Sequence, residues 1–338
     1  MKAVGLYRYL PIDHPESLLD MDVKQPTPTG RDLLVEVKAI SVNPVDAKQR
    51  APKEQVEKAP RILGWDAAGV VKAVGPEASL FAAGDAVYYA GSIVRPGANC
   101  EYHLVDERIA GRKPATLPFA EAAALPLTTL TAWELLFDRI GISKSGVHAG
   151  RSLLVLGGAG GVGSIAIQLA KKLGKLNVIA TASRPESIAW AASLGADAIV
   201  DHMRPLPEQL KALGEAEVDY LVCFNDTDRY FPEFPKLLKP QGRVGSIVRN
   251  AKPVDLALLQ PKSISFSWEG MFTRSSFGTP DMFAQHELLD DTAALIEVGV
   301  LRTTMKENLG RIDATNLKRA HRRLEEGHVV GKLVLEGF

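Results

Sequence analysis

Cysteine is scarce in this 338-residue chain, and long apolar runs and a net charge are missing. Two cysteines, Cys100 and Cys223, exclude a disulfide framework and indicate buried thiols of a reducing compartment. No apolar run approaches the roughly 20 residues of a membrane span, and the N-terminus lacks a signal-peptide core. Forty basic residues balance 40 acidic ones, so no overall field favours nucleic acid or an anionic membrane. We expect a cytoplasmic protein without nucleic-acid or membrane partners.

A glycine-rich segment, residues 157–163, carries the strongest motif of the chain. It follows the apolar run Leu153–Leu156 and matches the spacing G-x-G-x-x-G, in which glycines allow a tight turn and the close approach of a pyrophosphate. A helical pattern and a second apolar run follow, which disfavours the alternative of a turn with a packing role only. We expect a dinucleotide phosphate at the helix N-terminus, in contact with Gly158, Gly160, Gly161, Val162 and Gly163.

The end of the second apolar run distinguishes between the two nicotinamide nucleotides. NAD sites usually place an acidic residue there to bind the ribose 2′-hydroxyl, whereas this chain has Ser183 and Arg184. A guanidinium pairs with a 2′-phosphate, and a serine hydroxyl supplies a further hydrogen bond. The alternative is that Arg184 is a solvated residue at a helix start. The missing carboxylate favours NADPH as the cofactor.

The pattern of apolar residues differs between the first 120 residues and the segment from about 152 to 268. Short apolar strands alternate with helical segments from about 152 to 268, which predicts a doubly wound parallel sheet of the Rossmann type in an α/β protein. Asn225 follows one of these strands, at the edge where open parallel sheets bind ligands. The first 120 residues carry short strands punctuated by proline and glycine, which predicts a small β-rich barrel. One helix is expected over about 119–137, and two more over 285–298 and 314–326.

This order of segments resembles the medium-chain dehydrogenase/reductase superfamily, and within it most closely the zinc-independent quinone oxidoreductase branch. The stretches that carry the resemblance are Ala159–Gly163, Ser41–Asp46, Gly64–Gly69, Leu125–Trp133 and Gly331–Lys332. The resemblance implies a GroES-like catalytic domain over 1–125, an NADP-binding domain over 126–268, and a return to the catalytic domain over 269–338. Thr128, Phe272 and Lys332 match positions that lie near the cofactor in related enzymes.

The chain departs from the pattern of the superfamily at the positions that bind zinc. Metal-dependent members carry a ligating cysteine where this chain has Asn43, and a His-Glu pair where it has Trp65 and Asp66. The four-cysteine lobe that binds structural zinc is also absent, because Cys100 is the only thiol in that region. We therefore expect no metal ligands. Many members are named zinc-type dehydrogenases. Such a name for this chain would rest on homology alone and not on these residues.

Without a Lewis acid, hydrogen bonds must stabilise the charge that a carbonyl gains during reduction. Asn43 is the first catalytic candidate, because its amide can donate at the place of the missing metal; the alternative is a turn residue before Pro44. Asp46 is the second, to orient the substrate or a water, with a capping role as its alternative. Tyr88 and Tyr89 end a strand and offer further hydroxyls, of which one is expected to face away.

Three functions fit these residues. The first is an NADPH-dependent reductase that transfers a hydride to a small electrophilic substrate, such as a quinone, an enone or another activated carbonyl compound. The second is a nucleotide-binding protein without turnover, with a structural or regulatory role. The third, a zinc-dependent alcohol dehydrogenase, is disfavoured by Asn43 and Trp65. Ile264, Phe266 and Trp268 alternate with serines on the last strand, which together with the resemblance predicts a homodimer formed through that edge.

Overall fold

The computed structural model describes all residues from 1 to 338 and divides them into two compact units. The first unit consists of Met1–Leu130 and Phe272–Phe338, and the second unit of Thr131–Met271. None of the helices is both long and apolar enough to cross a bilayer.

Strands of both units are numbered in chain order. They are β1 Lys2–Tyr9, β2 Leu19–Asp22, β3 Asp32–Val42, β4 Lys53–Ile62, β5 Ala67–Val74, β6 Ala86–Tyr89, β7 Tyr102–Asp106, β8 Ala110–Arg112, β9 Ser152–Leu156, β10 Asn177–Thr181, β11 Ala198–Val200, β12 Val218–Cys223, β13 Leu238–Ser246, β14 Ser265–Trp268, β15 Met305–Asn308 and β16 Lys332–Glu336.

Helices are numbered in the same way. They are α1 Pro44–Arg50, α2 Phe119–Ala123, α3 Pro126–Trp133, α4 Gly161–Lys172, α5 Pro185–Ser193, α6 Leu206–Ala212, α7 Thr227–Tyr230, α8 Phe234–Leu237, α9 Thr273–Phe277, α10 Ala284–Glu297 and α11 Ala314–Glu326. Short 3₁₀ segments cover Glu107–Ile109, Phe231–Glu233 and Leu256–Lys262, and Glu134–Arg139 forms a π-helical turn.

The first unit is built on a mixed sheet of seven strands. Six of them lie in the order β15-β16-β3-β5-β6-β8, and β7 pairs with β3; a smaller sheet has the order β2-β1-β4. Leu33, Leu34 and Val35 are all buried, so both faces of β3 are covered near its start. The pairing of β3 with β5 is irregular at residues 34/35 and 37/39, whereas β7 pairs with residues 32–36 of β3 in continuous register.

The second unit confirms the predicted doubly wound parallel sheet. Its strands lie in the order β11-β10-β9-β12-β13-β14, so the direction of the chain path reverses between β9 and β12. That reversal is the point where Rossmann sheets bind dinucleotides, at the carboxyl ends of the strands. The central strand β9 is buried at every position, as expected for a parallel strand that is covered on both faces.

Two local features differ from the expectations. The single helix expected over 119–137 is divided into α2, α3 and the π-helical turn, because Pro126 has no N–H to continue α2 and begins α3 instead. A further helix, α1, begins directly after Asn43, where a turn was the expected alternative. Asparagine at the N-cap, proline at N1 and an acid at N3 form a helix-start signal that can be read from the sequence.

Candidate active site

The glycine loop of the second unit has little room for side chains. A Cβ atom on Gly163 would lie 2.2 Å from the Gly157 carbonyl oxygen, and one on Gly158 would lie 2.8 Å from the Ala180 Cβ. Gly157 has a φ of +85°, which favours glycine. By contrast, the nearest atom to a Cβ on Gly160 is 3.6 Å away, so this side of the loop is open. The tight turn and the open backbone face are the two properties that a pyrophosphate needs.

Hydrogen bonds from neighbouring elements hold this loop in place. The Thr181 hydroxyl accepts from the Gly157 N–H at 3.0 Å, and the Ser164 hydroxyl donates to the Gly160 carbonyl at 2.7 Å. The Trp190 indole donates in turn to the Ser164 hydroxyl at 2.8 Å. Gly160, Gly161 and Val162 are partly exposed at the start of α4, a twelve-residue helix whose N-terminus favours anions.

Ser183 and Arg184 lie directly after β10, and the structure brings two further basic residues to them. The Ser183 hydroxyl is 3.4 Å from Nε2 of His202, and Arg229 donates to the His202 carbonyl at 2.8 Å. Burial lowers the pKa of His202, and the nearby Arg229 and Arg184 lower it further, while Asp201 raises it. Two arginines, one imidazole and one hydroxyl therefore lie near the end of β10, together with the Asp201 carboxylate.

Asn225 is exposed after β12 and lies beside the glycine loop. A Cβ atom on Gly157 would be 3.5 Å from the Asn225 Cβ. The Asn225 side-chain oxygen accepts from the N–H of Asp226 at 3.0 Å, which fixes the orientation of its amide. The structure thus places Asn225 with the glycines at the carboxyl ends of β9 and β12.

A buried polar cluster occupies the first unit and contains Asn43, Asp66 and Lys332. These side chains are 1–3% exposed. The Lys332 ammonium is 3.1 Å from Oδ2 of Asp66, donates to the Val42 carbonyl at 3.1 Å, and donates to Oδ1 of Asn43. Nδ2 of Asn43 donates to Oδ2 of Asp66 at 3.1 Å. Each of the three side chains is therefore bonded to the other two.

Asp66 is the centre of this cluster. Its Oδ2 also accepts from the Ser41 hydroxyl at 2.6 Å, and its Oδ1 accepts from the Leu127 N–H at 3.1 Å. Burial raises the pKa of Asp66, whereas Lys332 and the hydrogen bonds lower it. Burial lowers the pKa of Lys332, and Asp66 opposes that shift. Asp66 has four hydrogen-bond donors around it, and Lys332 has three acceptors. Both buried charges are therefore paired and hydrogen-bonded.

Asp46 lies at the edge of the cluster, on the first turn of α1. Its Oδ2 accepts from the Asn43 N–H at 2.7 Å, which caps the helix, while its Oδ1 is buried without a hydrogen-bond partner. Burial raises the pKa of Asp46 to about 7, against the lowering effects of the Asn43 N–H and Lys332. The capping role that the sequence left open is therefore present, and a carboxyl that titrates near neutrality accompanies it.

Thr128 and Phe272 were the other positions inferred from the resemblance. The buried Thr128 hydroxyl donates to the Leu125 carbonyl of its own helix at 3.1 Å. Phe272 is half-buried, and its ring packs edge-on against Trp65, with 6.3 Å between the ring centroids. Phe272 therefore contacts the residue that precedes Asp66 in the chain.

Neither tyrosine of β6 faces outward. Tyr88 and Tyr89 are both fully buried, whereas the sequence predicted that only one of the two side chains would face away from the substrate. The Tyr88 hydroxyl donates to the Leu289 carbonyl at 2.6 Å, and the Tyr89 hydroxyl is 3.1 Å from Nδ1 of His103. Burial lowers the pKa of His103 to about 4. Both hydroxyls therefore have a hydrogen-bond partner inside the first unit.

Sequence reasoning missed two residues of these groups. Asp66 appeared only as a replaced metal-ligand position, although a carboxylate directly before a buried strand is a signal of a buried ionic partner. His202 follows the short strand β11, and no motif marks it. Its proximity to Ser183 depends on the parallel pairing of β10 with β11, which the periodicity of either strand does not reveal.

The donor set of the buried polar cluster does not suit zinc. Cysteine, histidine and carboxylate are the usual zinc ligands, and here the cluster offers an amide, one ion-paired carboxylate and a carboxyl used as a helix cap. Lys332 already directs a positive charge at the oxygens of Asn43 and Asp66. No three histidine, cysteine or acidic side chains of the structure come together as a metal site.

Comparison with known proteins agrees with this architecture. Residues 29–128 match the alcohol dehydrogenase GroES-like domain, and residues 161–291 match the zinc-binding dehydrogenase family. The chain therefore belongs to the medium-chain dehydrogenase/reductase superfamily, as the sequence predicted. It is an oxidoreductase of a superfamily that uses nicotinamide cofactors.

Individual relatives place the chain among the zinc-type alcohol dehydrogenase-like proteins. Such a protein from Staphylococcus epidermidis is 43% identical over 336 residues, which cover 99% of each chain. The crystal structure of a candidate zinc-dependent alcohol dehydrogenase from Rhizobium etli CFN 42 has a TM-score of 0.96 and 50% identity, and covers 100% of this chain and 98% of that one. The NADPH-dependent alkenal/one oxidoreductase of Arabidopsis thaliana is 37% identical over 200 residues, 57% of this chain and 50% of that protein.

Proposed function

We propose that this protein is an NADPH-dependent reductase of quinones, enones or other activated carbonyl compounds, and that it works without zinc. The observation that carries the proposal is the basic group at the end of β10. Where an NAD site has a carboxylate, Ser183 and Arg184 are joined by His202 and Arg229. The relative from Arabidopsis, which is named as NADPH-dependent and acts on alkenals and alkenones, supports both cofactor and substrate class.

Glycines 158, 160 and 163 and the N-terminus of α4 would hold the pyrophosphate, and Arg184 the 2′-phosphate. When bound, NADPH supplies the hydride. The residues of the chain supply the rest: they orient the acceptor and stabilise the charge on its oxygen. The Asn43 amide nitrogen carries two N–H groups, of which Asp66 takes one, so the other can donate to that oxygen.

A substrate with delocalised charge suits this arrangement. Reduction of an enone or a quinone spreads the new charge over a conjugated system, so one or two hydrogen bonds stabilise it adequately. A simple ketone concentrates the charge on one oxygen, where a Lewis acid is most effective. The ammonium of Lys332, paired with Asp66, leaves no place for such a metal among these side chains. Activated acceptors are therefore the substrates that the donor set supports best.

Replacing Arg184 tests the cofactor assignment. Arg184→Ala is expected to weaken NADPH binding by 1.5–3 kcal/mol, about one to two orders of magnitude in Kd, because a charge-assisted contact with the 2′-phosphate is lost. NADH binding should change little, since NADH has no such phosphate. Titration of both nucleotides by calorimetry or by nicotinamide fluorescence measures the two affinities.

Arg204→Ala is the matched control. Arg204 is largely exposed and pairs with Asp201, so its loss removes a nearby positive charge without removing the proposed contact. It should leave the ratio of NADPH to NADH affinity close to that of the unaltered protein. Equal losses for both nucleotides in Arg184→Ala, or equal effects of the two substitutions, would refute the assignment.

We also propose a cytoplasmic homodimer joined through β14. This strand forms an edge of the second unit's sheet, and it carries the partly exposed side chain of Trp268. An unpaired edge strand invites pairing with a second copy. Both cysteines are buried and free, which accords with a reducing compartment.

Light scattering at micromolar concentration is expected to give twice the mass of the chain. Exchange of Ser265 and Ser267 for lysine should shift the protein to the monomer, because like charges then face each other across the paired edges. A monomer before substitution, or a dimer that both lysines leave intact, would contradict pairing through β14.

A further inference from the structure

We propose that Lys332 is a positioning residue that fixes the side-chain amide of Asn43 in its donating orientation. This inference rests on the proposed function, because it concerns the hydrogen bond that Asn43 gives to the acceptor's oxygen. It differs from the role that the resemblance implied for Lys332, which was that of a cofactor neighbour.

The first support is the number of donors on Lys332. An ammonium group has three N–H donors. Three oxygens surround it: the Val42 carbonyl, Oδ1 of Asn43 and Oδ2 of Asp66. Its side chain is 3% exposed. With all three donors directed at oxygens of the first unit, none is left to hydrogen-bond a nucleotide.

The second support is the charge on each side of the Asn43 amide. An asparagine amide can turn over by half a rotation, which exchanges its oxygen and nitrogen. Here a cation faces one end of the amide and a carboxylate faces the other. Turning the amide over would place its NH₂ group against the ammonium and its oxygen against the Asp66 carboxylate. Both contacts are repulsive in a buried site, so only one orientation is stable.

That orientation is the useful one for catalysis. The amide oxygen is held by Lys332, and the nitrogen is presented with one N–H bound by Asp66. The acceptor's oxygen therefore always meets an N–H donor of Asn43. It never meets the amide oxygen, which would repel a developing oxyanion. Preorganisation of this kind spares the reorganisation that a freely turning amide would need.

The test compares Lys332→Met with Asn43→Ala and with the double variant. If Lys332 acts through Asn43, Asn43→Ala should lower kcat by about 10²-fold, the lower end for the loss of one oxyanion donor, and Lys332→Met should lower it by less, because Asp66 still binds the amide nitrogen. The double variant should lose little more than Asn43→Ala alone. The Kd for NADPH should stay within about twofold, because neither residue binds the nucleotide. Lys113→Met is the matched control: Lys113 donates only to the Pro114 and Leu117 carbonyls, and kcat should not change.

Loss of Lys332 also leaves the Asp66 carboxylate buried without its cation, which is destabilising. Lys332→Met with Asp66→Asn removes both charges and should restore the urea midpoint, while kcat stays low because no charge orients the amide. This pair separates positioning from stability. An unimpaired kcat in this stable pair, additive losses in the double variant, or a large increase in the Kd for NADPH would overturn the proposal.

The stability measurement also separates this inference from the proposed function. If no acceptor is reduced by the unaltered protein, the proposed function fails. The urea midpoints of Lys332→Met, Asn43→Ala and the double variant still test the contact between the two residues. Shifts that simply add would show that Lys332 does not hold Asn43.

Discussion

Glu269→Gln is expected to make the protein more stable than the unaltered chain at alkaline pH, by a few kcal/mol. Glu269 is buried at the end of β14, beside the fully buried Glu134, and one arginine serves both. Nε of Arg139 is 2.8 Å from Glu269, and its Nη2 is 3.9 Å from Glu134. Two carboxyl groups that share one cation in a buried site cannot both ionise without cost.

The sign follows from the pKa of Glu269. Burial, followed by the charge of Glu134, raises that pKa from 4.5 to about 8, so the folded chain holds a proton that the unfolded chain releases. Stability from this group is therefore complete below pH 4.5 and is lost as the pH rises through about 8. Glutamine has the shape of the protonated acid and no ionisation, so the loss should disappear. The difference between the pKa of the folded and the unfolded chain sets the expected scale, on the order of a few kcal/mol.

Chemical denaturation between pH 5 and pH 9, which extends about one unit above the pKa of Glu269 in the folded chain, measures the effect. The exposed Glu233, which pairs with Lys236, offers a matched control, and Glu233→Gln should leave the slope of stability against pH unchanged. An equal alkaline loss of stability in Glu269→Gln and in the unaltered protein would show that this carboxyl pair does not titrate as described.

Asn43→Ala is expected to lower kcat by about 10²-fold, while NADPH affinity changes little. The substitution removes a donor to the acceptor's oxygen, and a loss of one such donor costs at least this factor. The hydrogen bonds that Asn43 makes are all to residues of the first unit. Steady-state kinetics under conditions where chemistry limits the rate, with nucleotide binding measured separately, test both expectations.

Asn99→Ala serves as the control for losing a buried asparagine. Asn99 is 2% exposed and lies in the same unit, but it makes no bond to the buried polar cluster. Its replacement is expected to affect stability more than kcat. If folded Asn43→Ala retains full kcat, Asn43 has only the structural role of starting α1.

The dinucleotide fold could be predicted because its signals are local. The glycine spacing and the apolar run before it are contiguous, and each depends on backbone geometry that neighbouring residues dictate. The same holds for Ser183 and Arg184, which follow β10 directly. The predicted parallel sheet and its ligand-binding edge are present in the structure.

The buried polar cluster could be predicted only in part, because its contacts are long-range. Lys332 reaches Asn43 because β16 pairs with β3, strands that lie almost 290 residues apart in the chain. No periodicity within either strand encodes that pairing. The helix that follows Asn43 had a local signal, an asparagine-proline start with an acid at the third position, and a reading of that signal predicts both α1 and the capping role of Asp46.

The central claim is that this oxidoreductase reduces an activated acceptor with NADPH and without zinc. It is tested most directly by following NADPH oxidation with a panel of quinones, enals, enones and simple ketones, using protein treated with a chelator and analysed for metal in the same sample. The account predicts steady turnover of at least one conjugated acceptor by metal-free protein, faster with NADPH than with NADH. Activity that disappears on chelation and returns with zinc, or NADPH binding without turnover of any acceptor, would contradict it.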